Sequence, residues 1–140
     1  MKNSIWFILL VCWLPVELCA QVTGKWYVMG EDGITRSIVE ISVVNGKYEG
    51  KVAELLPTSK RTHCENCTGS LKGKPLTGMT ILYDLTIVPN GGKDGKVIDP
   101  STGKVFSCSI ELVGPDKLKL RGYLGVPTVG KTAYWYRLKG

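Results

Sequence analysis

The sequence predicts an all-β fold: about eight antiparallel strands rolled into an up-and-down barrel, with one long cysteine-containing loop. Three observations predict it. Short runs alternate apolar and polar residues at period two, and no stretch shows a helical period. Clusters of Gly, Asn, Asp and Pro separate these runs at hairpin distances. Aromatic segments stand near both ends, Gly24-Lys25-Trp26-Tyr27 and Tyr134-Trp135-Tyr136-Arg137, and closure of a small barrel sets its first strand beside its last.

Trp26–Met29 is the first apolar run, and Gly30-Glu31-Asp32-Gly33 turns it. Ser37, Val39, Ile41 and Val43 then alternate with Ile38, Glu40 and Ser42, the mark of a half-buried strand. Asn45-Gly46 is a strong hairpin signal, because both residues tolerate positive φ. The return strand Lys47–Leu55 sets Tyr48 and Val52 against Lys47, Glu49 and Lys51 on the other face. Residues 57–75 carry no strand pattern and form a long, basic loop with two cysteines, a length that implies a functional or covalently pinned segment. Met79, Ile81, Tyr83, Leu85 and Ile87 follow as one face of the next strand. Pro89-Asn90-Gly91-Gly92 breaks it, a short Lys96–Ile98 segment comes next, and residues 99–103 turn again. Phe106, Cys108, Ile110 and Leu112 form one face of a strand, and Leu118, Leu120 and Gly122 one face of its successor. The last strand spans about Lys131–Leu138; Tyr134, Tyr136 and Leu138 are as apolar as the opposite face, so alternation leaves the direction of Trp135 and Arg137 open.

Residues 1–20 read as a signal peptide, with Lys2 as the positive start, an apolar stretch over 5–16 and cleavage after Ala20. Lipid anchoring at Cys19 is disfavoured because Leu18 is bulky where a small residue normally precedes the cysteine. Glu17 interrupts an apolar run already shorter than the ~20 residues of a membrane span, so no transmembrane helix is expected in the mature chain. The expected location is therefore the periplasm or the exterior. Residues 21–140 form one domain, and the net charge stays at +6 because Lys2 and Glu17 leave together. The lysines are scattered along the chain, a pattern that suits an anionic envelope component and points away from nucleic acid.

Export leaves Cys64, Cys67 and Cys108 in an oxidising compartment, where one internal disulfide is expected and one thiol is left over. A local Cys64–Cys67 ring contributes about 2 kcal/mol by chain entropy, against about 4 for a bridge from the loop to Cys108. Stability favours the long bridge and proximity the local one. A metal site from His63 with the three cysteines is disfavoured, since His63 and Cys64 are sequence neighbours, an awkward spacing for tetrahedral ligation. The C-x-x-C lacks the helix start that redox catalysis uses, and Thr68 stands where a haem attachment motif needs His. No cofactor is implied.

Catalytic groups are scarce. The single histidine, His63, lies in the long loop without a supporting Ser or acid motif. No enzyme is expected. Asp99 opens a tight turn, where Asp commonly bonds its own backbone; the alternative sets it against Arg121 at a polar rim.

Lipocalin barrels place a Gly-x-Trp on the first strand and an Arg on the last, the guanidinium stacked on the indole to close one end. Gly24-Lys25-Trp26 and Arg137 resemble that pair. More broadly, Gly24-x-Trp26, Cys64-x-x-Cys67, Lys74-Pro75-Leu76-x-Gly78-Met79, Ile98-Asp99-Pro100-x-x-Gly103-Lys104, Cys108, Leu118-x-Leu120-Arg121-Gly122-Tyr123 and Trp135-Tyr136-Arg137 resemble the bacterial secreted family known as domain of unknown function 2147. The resemblance spans the mature chain and implies a small exported lipocalin-like barrel; the family has no agreed activity to transfer. Lys131 replaces an expected Arg, and an expected aromatic is missing before the Asp99-Pro100 block.

Eight strands enclose room for packed side chains or one small ligand. The functional expectation is thus a binding module for a small apolar or amphipathic, lipid-like molecule. Trp26, Tyr83, Phe106 and Trp135 would line its interior, with Asp99 or Arg121 at the mouth. The alternative is a solid-core structural or interaction protein that meets an anionic envelope component through its basic loop, residues 57–75.

Overall fold

The structure, a computed structural model, describes residues 21–126 and 129–139. The expected leader, with Cys19, lies outside the described residues. Eight strands follow in order: β1 Gly24–Met29, β2 Thr35–Val44, β3 Lys47–Leu55, β4 Thr80–Val88, β5 Gly91–Ile98, β6 Val105–Gly114, β7 Lys117–Tyr123 and β8 Gly130–Arg137. Each pairs antiparallel with the next, and β8 returns to β1 with Arg137 opposite Trp26 and Tyr136 opposite Tyr27. Closure gives every strand a neighbour on both sides, with the β1–β8 seam paired at those two positions only. The all-β, eight-stranded up-and-down barrel is what the alternation predicts, and the helical content among the described residues is one short turn, Gly69–Leu71. No described helix is long and apolar enough to cross a membrane.

Local chemistry accounts for the hairpins. Asn45 and Gly46 both take positive φ, 51° and 77°, in the two-residue turn that matches strand twist. Asn90, at φ 62°, does the same beside Pro89. Strand β5 is longer than the glycine-rich sequence suggests, since Gly91 through Gly95 belong to it. These glycines are packing residues. A Cβ on Gly91 would lie 2.0 Å from the Ile110 carbonyl oxygen, and one on Gly95 would lie 2.5 Å from Leu85.

The inner face carries Trp26, Val39, Ile41, Val52, Leu82, Leu85, Cys108, Ile110, Leu118, Leu120 and Trp135, all buried in one hydrophobic cluster. On β4 the outcome departs from simple alternation. Asp84 sits at φ 59°, a left-handed bulge that inserts one residue between two inward side chains. Leu82 and Leu85 therefore point inward, while Tyr83, paired with Lys96, faces the outer wall. The expected inner face Ile81-Tyr83-Leu85 is corrected accordingly.

The barrel has two different ends. The hairpins β2–β3, β4–β5 and β6–β7, the start of β1 and the end of β8 mark one end. The loops 30–34, 56–79 and 99–104, with residues 124–126 and 129, mark the other, the mouth. The long loop does not swing free: His63 bridges to Pro75, and Gly78 and Met79 bond to Val52 backbone groups. Ile81 and Ile98 face outward yet are buried, in the same cluster as Cys64, Cys67, Leu71 and Leu76 of the loop.

Candidate functional site

The sealed end is built from the two termini. The Arg137 guanidinium lies 4.3 Å from the centre of the Trp26 ring, which is itself completely buried. Arg137 also donates to the carbonyls of Thr23 at 3.0 Å, Pro115 at 3.1 Å and Gln21. Asp116 stands 3.7 Å from its Nε, and Trp26 donates its indole N–H to the Val22 carbonyl at 2.9 Å. Gly24 makes the stack possible. At φ +129° it adopts a conformation that L side chains rarely take, and a Cβ there would lie 2.9 Å from Arg137 Nη1.

Above the seal the interior is filled. A Cβ on Gly50 would meet Leu82 at 3.0 Å and Val39 at 3.1 Å, and one on Gly92 would meet Leu85, Tyr48 and Ile110 within 3.4 Å. Val39, Leu82, Leu85 and Leu118 have no exposed surface at all, so no water-sized space is left among them. Trp26 and Trp135, at 0% and 3% exposure, are spent on this packing.

Packing loosens toward the mouth. Val28, Leu55, Val97 and Phe106 face inward and are only half-buried. Phe106 stands opposite Val97 of β5, at the mouth end of β6. Beside it Gly122 leaves a gap, with only Phe106 Cβ at 3.8 Å and Val97 Cγ1 at 4.0 Å near the place of a side chain. Lys131 lies on this rim, bonded to Glu31 at 2.8 Å, and Glu31 holds its pKa above the usual lysine value, with Asp99 adding to the effect. Asp32 is held below the usual carboxylate range by the Ile34 N–H, with Arg36 beside it.

The six residues expected to contact a ligand thus separate. Trp26 and Trp135 are core, and Phe106 alone reaches the mouth. Tyr83 and Arg121 lie on the outer wall, Tyr83 because of the Asp84 bulge. Arg121 occupies the face opposite Leu120 and Gly122, where it donates to Thr132 Oγ1 at 3.1 Å. Asp99 does not frame an opening with Arg121: its carboxylate accepts from the Ser101 N–H at 2.9 Å and hydroxyl at 2.7 Å, closing its own turn. Val28, Leu55 and Val97 complete the mouth. Their positions were visible as apolar ends of strands, but the Lys131–Glu31 pairing, 100 residues apart, carries no sequence signal.

The disulfide joins Cys64 to Cys67, and Cys108 is a free, buried thiol. The longer bridge is denied by the wall itself. Cys108 faces inward opposite Gly95 and Gly122, whereas the loop docks on the outside of the barrel. There Asn66 donates to the Ser101 carbonyl at 2.8 Å, and Gly103 sits so close that a Cβ would fall 1.7 Å from Asn66 oxygen. Burial pushes the Cys108 thiol up to about 12, against the opposing charge of Lys96. His63 is exposed and shares a hydrogen bond with Thr62 at 2.8 Å. Among the described residues no three His, Cys, Asp or Glu side chains converge as a metal site would require.

Comparison with known proteins supports the architecture. Protein HP1028 from the human pathogen Helicobacter pylori, described as belonging to the lipocalin family, has a similar structure at a TM-score of 0.75. The match covers 85% of this chain and 84% of that one at 22% sequence identity, a likeness of fold. No curated protein matches the sequence. The family model described as an uncharacterized protein conserved in bacteria, domain of unknown function 2147, matches residues 24–137. That span runs from the glycine that admits the seal to the arginine that makes it, and the chain belongs to this bacterial family.

Proposed function

We propose that this is an exported, non-catalytic binding protein that takes the apolar part of a small amphipathic molecule into the barrel mouth. The polar end of that molecule lies near Lys131, Glu31 and Asp99. One observation carries this reading: Phe106 stands half-buried on the inner wall beside the gap at Gly122, where an added Cβ would meet nothing nearer than 3.8 Å. An apolar side chain in that setting gains by acquiring a partner, at about 25 cal/mol per Å² removed from water. The filled interior limits the ligand to one short apolar group, because nothing beneath the mouth yields without repacking.

Native mass spectrometry of protein taken from its own envelope, followed by titration with a medium-chain fatty acid, tests this. A bound mass that Phe106→Ala or Gly122→Leu removes is the expected result. An unliganded mass, with no shift on adding the fatty acid, sinks it. Amino-terminal sequencing of the same material is expected to begin at Gln21.

The close approaches at Gly50, Gly92 and Gly95 favour a second reading, a solid barrel acting through its surface. In it the pinned loop, residues 57–75, presents exposed Lys60, Arg61, Lys72 and Lys74 to an anionic envelope component.

A further inference from the structure

The outer wall of β6–β8 carries a feature that neither reading uses. Alternation on β7 sends Leu118, Leu120 and Gly122 inward, so Lys117, Lys119, Arg121 and Tyr123 form a row on the outside. Three cations repeat at every second residue, about 6.8 Å apart along an antiparallel strand. Register sets Glu111, Ser109 and Ser107 beside this row on β6, and Tyr136, Tyr134 and Thr132 beside it on β8. Lys96 extends the patch on β5, bonded to Ser107 Oγ at 2.9 Å. Among the described residues these registers set four cations, Lys96, Lys117, Lys119 and Arg121, beside the carboxylate of Glu111, while Asp116 at the β6–β7 turn faces Arg137 and Lys139. Ser109, Glu111, Lys119 and Arg121 line a shallow, open hollow of about 230 Å³.

We propose that this wall binds an acidic polysaccharide running along β7. A row of evenly spaced cations on an open surface matches a chain with repeating negative charge, whereas a single small anion calls for an enclosed site. Ser107, Ser109 and Thr132 with the Tyr134 and Tyr136 hydroxyls supply donors and acceptors for sugar hydroxyls. The tyrosines also decide against single-stranded nucleic acid. Lys117 Nζ lies 4.5 Å from the Tyr134 ring centre and 5.7 Å from that of Tyr136. One face of each ring is therefore already engaged by an ammonium, which leaves fewer open faces for base stacking. The proposal is independent of the mouth, which lies at the end of the barrel and not on its side.

The test measures binding of the purified protein to polygalacturonate, with neutral dextran and single-stranded DNA as comparisons. Expected are binding to polygalacturonate that falls with salt, none to dextran and weaker binding to DNA. Lys119→Gln with Arg121→Gln is expected to weaken polygalacturonate binding by about tenfold or more. Lys47→Gln with Lys51→Gln removes equal charge from β3, on the opposite side of the barrel, and is expected to change it less than about threefold. If the β7 double variant loses its fold by circular dichroism, Lys96→Gln and Lys119→Gln, each made singly at the surface, take its place with the same expectation of weaker binding. Equal losses in the β3 and β7 variants, tighter binding to DNA than to polygalacturonate, or no binding at low salt would each overturn the proposal. Loss of fatty-acid binding through Phe106→Ala with polygalacturonate binding intact keeps the two surfaces distinct.

Discussion

Arg137 holds Trp26 from above while Gly24, two residues before that tryptophan, leaves the space its guanidinium needs. The first and last strands are thereby locked by a contact that neither terminus can make alone. The cation–π stack contributes about 0.5–2 kcal/mol, and the carbonyls of Gln21, Thr23 and Pro115 add hydrogen bonds to a charged donor.

Arg137→Ala is expected to lower unfolding free energy by about 2–3 kcal/mol. Arg137→Lys should recover less than half of that, because an ammonium cannot stack flat and serve several carbonyls together. Urea denaturation followed by tryptophan fluorescence reads both. Equal stability of the Ala variant and the parent would show that closure does not depend on the seal.

Gly95 and Gly122 make a matched pair on the inner wall with opposite tolerance. Gly95→Ala forces a methyl to within 2.5 Å of Leu85 and is expected to cost about 1–3 kcal/mol. Gly122→Ala meets nothing nearer than 3.8 Å and should stay within about 0.5 kcal/mol of the parent. Comparable losses at the two positions would contradict the filled-below, open-above interior.

Cys108 links stability to alkaline pH. Its folded pKa, about 12, lies above the ordinary thiol value, so only the unfolded chain releases this proton between roughly pH 9 and 12. The unfolded state then binds fewer protons than the native one, and the stability present below pH 9 falls as pH rises, by up to about 1.4 kcal/mol per unit. Measured against Cys108→Ala, the parent should lose its relative stability across that window. Thiol counting is expected to find no reactive thiol in the folded protein and one after denaturation without reductant.

Gly103 tests how the long loop is held. Its φ of +74° and the 1.7 Å approach to Asn66 oxygen leave no place for a side chain. Gly103→Ala should free the loop from the 99–104 turn, visible as faster backbone hydrogen exchange over 62–76 with the barrel strands unchanged. Reduction of Cys64–Cys67 removes a small ring and should cost no more than about 2 kcal/mol. A loss of about 4 would instead point to a bridge spanning to Cys108.

Much of this barrel was legible residue by residue. Period-two alternation on β2, β3, β6 and β7 names the inward side chains and Asn45-Gly46 names a turn, because each depends on a few neighbouring residues and the two faces of a strand; the seal is named by the resemblance of Gly24-x-Trp26 and Arg137 to lipocalin barrels. What alternation cannot carry is a bulge. At Asp84 one residue in left-handed conformation turned Tyr83 outward, and on β5 glycines that look like a turn became the places where the flanking strands close in. The candidate site suffered most, since Trp26, Trp135, Tyr83 and Arg121 were judged by residue type, and type does not tell core from wall from mouth. Sequence alone therefore determined that the strands close into one all-β barrel sealed at its termini. Tertiary structure decided which thiols pair, how much of the interior is full and where Phe106 is left half-buried, because those outcomes depend on distances across the barrel between residues far apart in the chain.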